Sequence, residues 1–71
     1  MKMTNPHKLN STSIEHIQYH EPSTLEIKFH SGAMYHYKDC PKEHFDALKV
    51  AKSAGGYFRT RILNRYHHEK Q

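Results

Sequence analysis

All three arginines of the chain fall between Arg59 and Arg65. After Asp46 no acid occurs until Glu69, while Lys49, Lys52, Arg59, Arg61 and Arg65 intervene. The formal net charge is +4 with histidines neutral, and its excess sits in the C-terminal third. Such asymmetry fits an anionic partner, nucleic acid first. On a helix Arg61 and Arg65 would be one turn apart, and Tyr57 one turn before Arg61. A tyrosine between arginines can stack on a base while the guanidinium groups pair with phosphates. Lys49, Lys52, Tyr57, Arg61 and Arg65 are therefore the expected nucleic-acid contacts. A solvated basic face whose aliphatic stems cover the core edge uses the same residues, and the two readings stand level.

Four other groups could do chemistry. Ser53, Gly55 and Gly56 open a helical stretch whose amides, with Arg59 and Lys52, would suit an anion. The segment matches no phosphate-loop signature, so a tight turn between helices is the stronger reading. Tyr35 and Tyr37, two apart on a strand, are either a stacking platform or core. Cys40 with His44 offers a thiol near a helix start and an imidazole one turn on. A nucleophile also needs an orienting group and a walled pocket, so a buried inert thiol is expected. Eight histidines (His7, His16, His20, His30, His36, His44, His67 and His68) lack zinc-finger spacing. His16 and His20 share one strand face, His30 and His36 fall on opposite faces, and no strand-built metal site is expected.

The elements that must position these residues read as follows. Ser13 to His20 alternates imperfectly, Thr24 to His30 strictly, and Ala33 to Lys38 is rich in aromatics; these are three strands. Glu21-Pro22-Ser23 and the stretch around Ser31-Gly32 turn the chain. A three-residue loop, His30-Ser31-Gly32, pairs Ile27 with Tyr35 and Leu25 with Tyr37, whereas a two-residue loop puts Met34 and His36 beside the apolar row. A short chain should bury the tyrosines, so the three-residue loop is expected. Pro41 suits the first position of a helix carrying Phe45, Leu48 and Ala51 inward, with Ala47 and Val50 beside them. Lys52 to Gly56 breaks it, Ser53 caps a second helix, and Phe58, Ile62 and Tyr66 form that helix's docking stripe.

With 71 residues the chain is one domain that buries roughly 60% of its unfolded surface. The single cysteine excludes a disulfide framework. The N-terminus lacks an apolar stretch, and no run approaches the ~20 apolar residues of a membrane helix. A cytoplasmic protein is expected. Residues 1–12 read as a disordered tail, 13–66 as the domain and 67–71 as a C-terminal tail.

Four segments together resemble the KTSC family. They are Ser13 to Tyr19; Leu25 to Gly32; Tyr35-His36-Tyr37 with Pro41; and Ser53 to Phe58 with Ile62 and Tyr66. This is the short domain named for its place at the C-terminus of some lysyl-tRNA synthetases and also found alone in bacterial and phage proteins. The chain departs from the usual pattern at Cys40, where an aliphatic residue is common, and at Ala54, where lysine is common. The resemblance implies RNA binding through the synthetase context.

The fold class expected is α+β: a three-stranded antiparallel sheet, then two helices packed on one face. The function expected is a non-catalytic module binding RNA or other single-stranded nucleic acid. The alternative is a protein–protein adaptor of phage or mobile-element origin. No cofactor, metal, membrane contact or small-molecule substrate is expected.

Overall fold

The computed structural model describes residues 6–71. The first five residues of the expected N-terminal tail lie outside them. The elements are β1 His7–Lys8, β2 Ile14–His20, β3 Thr24–Phe29, β4 Met34–Tyr37, α1 Lys42–Val50, α2 Ala54–Arg61 and β5 His68–Lys70. The fold is α+β, and among the described residues its antiparallel sheet has five strands, in the order β1-β2-β3-β4-β5, rather than three. The two additional strands come from segments read as tails. Leu9, the residue after β1, is buried, and its amide donates to the Glu15 carbonyl. β5 is held by its backbone ladder on β4 and by donation from Gln71 to the Met34 carbonyl, while its three side chains stay exposed. Neither strand carries an apolar alternation, because neither buries a row of side chains.

The β3–β4 register is the one the three-residue loop requires. Leu25 faces Tyr37 and Ile27 faces Tyr35. The Phe29 amide donates to the Ala33 carbonyl, and Gly32 takes φ +99°, a backbone angle that L side chains rarely adopt. The imperfect alternation of β2 has a local cause. Ile14 pairs with Phe29 but His16 with Lys28, so a bulge at Glu15 shifts the phase. Ile14, Ile17 and Tyr19 are all buried as a result.

One sheet face meets the helices. Phe45 of α1 lies 5.9 Å from the Tyr19 ring, and Phe58 of α2 lies 5.4 Å from Phe29 and 5.5 Å from Tyr37. Leu48, Ala54 and Ile62 complete the core with Leu25 and Ile27. Three helix expectations need correction. Pro41 is the N-cap residue, not the first helical one. Val50 is 84% exposed because α1 turns it away from the sheet. α2 stops at Arg61, where the amides of Ile62 and Leu63 both donate to the Phe58 carbonyl and Asn64 follows at φ 70°. Tyr66 therefore reaches the core edge from a turn, not from a third helical repeat. Among the described residues no helix is long and apolar enough to cross a membrane.

Candidate functional site

The N-terminus of α2 borders an open groove. Ser53 caps the helix, its Oγ accepting from the Gly56 amide at 3.1 Å, as its position in the sequence indicates. Helix geometry leaves the Ala54 and Gly55 amides without intrahelical acceptors. Gly55 lies against Ser13, the residue before β2: a Cβ there would stand 3.3 Å from Ser13 Oγ. The groove has a volume of about 550 Å³ and is walled by Ser11, Ser13 and Phe29 on one side and by Lys52, Ser53 and Arg59 on the other. The structure thus brings Lys52, Ser53, Gly55, Gly56 and Arg59 to one opening, and glycine also serves the close packing that the turn reading requires.

The opposite flank of α2 holds a second, smaller cleft of about 220 Å³, lined by His44, Thr60, Arg61, Arg65 and Tyr66. Arg61 and Arg65 meet there although the helix ends between them, because Arg65 Nε donates back to the Thr60 carbonyl at 3.4 Å. Tyr57 is less available than a stacking role needs. Its hydroxyl bonds His44 Nδ1 at 2.9 Å, and the Arg61 guanidinium lies 5.9 Å from its ring centre. Lys49 lines neither cleft: its ammonium sits 3.3 Å from Asp46 and 4.7 Å from the Phe45 ring. The expected contact set is thus divided between two flanks of α2, with Lys49 apart on α1.

His44 has a role that spacing alone does not reveal. Its two ring nitrogens bond the hydroxyls of Tyr57 and Tyr66, each at 2.9 Å. The imidazole clips α1 to α2 and to the turn beyond it. It does not face Cys40 as a base. Cys40 is fully buried, and burial pushes its thiol up from 9.0 to about 11, so the thiolate that reactivity needs is disfavoured. Tyr37 is core, 2% exposed, with its hydroxyl raised to about 12 by burial and then by Tyr35. Tyr35 is half-buried and packs edge-on against Phe29 and His68.

The histidines are not merely dispersed over the surface. His16, His20 and His36 converge on Glu26 on the sheet face away from the helices. The signal was present in the register: pairing Ile27 with Tyr35 also sets Glu26 opposite His36. What spacing among histidines alone could not supply was the β2–β3 pairing that brings His20 alongside.

Three comparisons bear on this architecture. The KTSC domain model matches residues 10–66. The chain belongs to the KTSC domain family. The matched span runs from before β2 to Tyr66 and contains both α2 clefts. An uncharacterized protein of Stutzerimonas stutzeri (strain A1501) is 41% identical over 51 residues, covering 70% of this chain and 72% of that one. The crystal structure of a KTSC domain protein from Yersinia pestis superposes with a TM-score of 0.88 at 25% identity, covering 99% of each chain. That overlap extends the likeness to the outer strands of this KTSC domain.

Proposed function

We propose that this KTSC domain is a non-catalytic module that binds single-stranded nucleic acid, RNA first, through its phosphate backbone. The observation that carries the reading is the α2 groove. It combines Lys52, Arg59 and the first-turn amides with the aromatic wall of Phe29. Cations with helix amides suit phosphate, and an aromatic wall suits an unstacked base. Arg61 and Arg65 on the other flank extend the positive surface along the strand's path. No acid lies between Asp46 and Glu69 to oppose them. The reading assigns stacking to Phe29, which lines the groove although Tyr35 and Phe58 pack against its ring, rather than to Tyr57, which lines neither cleft.

Fluorescence anisotropy with labelled single-stranded RNA and DNA tests it. If Lys52, Arg59, Arg61 and Arg65 each meet a phosphate, log affinity falls against log salt with a slope of about −2.8, or roughly fiftyfold between about 50 and 200 mM. Arg61→Glu with Arg65→Glu, and separately Lys52→Glu with Arg59→Glu, should each remove most of the affinity with the melting curve retained. Absence of binding at low salt, where screening is weakest, refutes the reading and leaves a protein partner to be sought.

A further inference from the structure

The sheet face turned away from the helices carries its own group of side chains. Register places Glu26 of β3 beside Gln18 of β2 and beside His36 of β4. His16 and His20 flank it diagonally on β2. Nε2 of His20 is 2.8 Å, and Nε2 of His36 3.1 Å, from the same carboxylate oxygen, Oε1 of Glu26. The two imidazole rings stand 5.2 Å apart, centre to centre. His16 Nε2 faces the other oxygen, Oε2, at 3.9 Å. Glu26 is only 7% exposed. A carboxylate so shielded needs compensation, and among the described residues its ion-pair partners are all histidines.

We propose that His20, Glu26 and His36 bind a divalent transition-metal ion of the zinc class, leaving its remaining coordination positions to water or an added ligand. The three donor atoms lie within 4.8 Å of one another. Around zinc, with bonds of about 2.0–2.1 Å, tetrahedral donors stand roughly 3.3 Å apart. The two Nε2–Oε1 distances, 2.8 and 3.1 Å, would open by a few tenths of an ångström to reach that spacing. Two imidazoles with one carboxylate suit zinc and its neighbours, whereas magnesium and calcium prefer oxygen donors. Binding requires a free lone pair on each Nε2, so any proton held there is released to Nδ1 or to solvent. The ion then places a divalent positive charge beside the shielded Glu26 carboxylate. His16, 3.9 Å from the second oxygen, is too far for a hydrogen bond and lies outside the donor set. The other charged residues paired along this face are Lys8 and Lys28 beside His16, and Glu69 beside His36. The site lies on the opposite sheet face from α2, so it stands or falls apart from the nucleic-acid reading.

The test uses the full chain, metal-free, titrated with Zn²⁺ by calorimetry and with Co²⁺ by visible absorption. The expected result is one ion per chain and, with Co²⁺, absorption of a low-coordinate site. Glu26→Gln, His20→Ala and His36→Ala should each weaken Zn²⁺ binding by more than about tenfold. His67→Asn with His68→Asn, on the exposed β5 side, should leave it unchanged. Circular dichroism confirms that each variant folds; His20 and His36, about one-fifth exposed as side chains, give variants that spare the core. Two results overturn the proposal: no one-to-one binding by the intact chain, or binding that survives at the sheet variants and disappears with His67 and His68.

Discussion

His44→Ala should destabilise the domain by about 1–3 kcal/mol. The imidazole makes two hydrogen bonds of 2.9 Å, to the Tyr57 and Tyr66 hydroxyls, and a typical net hydrogen bond contributes about 0.5–1.5 kcal/mol. Both sites are only partly buried, so the freed hydroxyls can turn to water and add little penalty of their own. Edge-on ring contacts at 5.8 and 5.4 Å are lost as well. For a chain of this size 1 kcal/mol shifts Tm by roughly 4–8 °C, so the melt should move down by about 4–24 °C. The assay is thermal unfolding followed by circular dichroism, run as a double-mutant cycle with Tyr66→Phe. Tyr66→Phe alone should cost less than His44→Ala, and in the His44→Ala background it should cost almost nothing further. Additive losses would mean the two side chains do not interact, and a His44→Ala melt within the error of the parent would refute the clip.

Alkaline pH offers a second measurement. Burial raises Cys40 from 9.0 to about 11 and Tyr37 from 10.0 to about 12. Groups whose folded value is raised contribute stability that is complete below the unfolded value and is lost as pH climbs to the folded one. Stability should therefore fall between about pH 9 and 12, and Cys40→Ala should abolish the lower part of that decline in denaturant titrations. Native Cys40 should resist alkylation at neutral pH and react in denaturant, as thiol-counting would show. Tyr37→Ala should cost about 3–5 kcal/mol as a core aromatic truncation, and half-buried Tyr35→Ala clearly less, measured by urea unfolding. Gly32→Ala places a side chain at φ +99° and should cost about 1–2 kcal/mol, although nothing stands within 4 Å of the new Cβ.

The parts of this fold legible in the sequence are those in which side chains report burial. β3 alternates strictly because one face is core, and the scarcity of apolar material chose its register with β4. Ser53 announced its cap through residue type alone. β1 and β5 are backbone structures: their ladders use amides and carbonyls that every residue carries, so His68-Glu69-Lys70 looks like a tail. The end of α2 was hidden for a related reason. Ile62 and Tyr66 keep helical spacing, yet Asn64 in the left-handed region turns the chain before Tyr66 arrives. Among the site residues, the α2 groove was visible as Ser53, Gly55, Gly56 and Arg59. Its other wall, Ser11, Ser13 and Phe29, depends on tertiary placement. The histidines around Glu26 required two strand registers at once, and only one could be settled from the turn.

The two outermost strands also limit how the sheet can grow. A bare strand edge is a template on which another chain can extend the ladder. Here the rims are His7–Lys8 on one side and His68–Lys70 on the other. Each offers only a few ladder positions and carries ionisable side chains at every residue, so an incoming strand would gain little backbone pairing while crowding charge. Removing either would uncover β2 or β4, which are longer and, through Tyr19 or Tyr35, more aromatic. Short charged rims of this kind disfavour edge-to-edge pairing, and a domain shortened at either rim should self-associate more readily with rising concentration than the 71-residue chain.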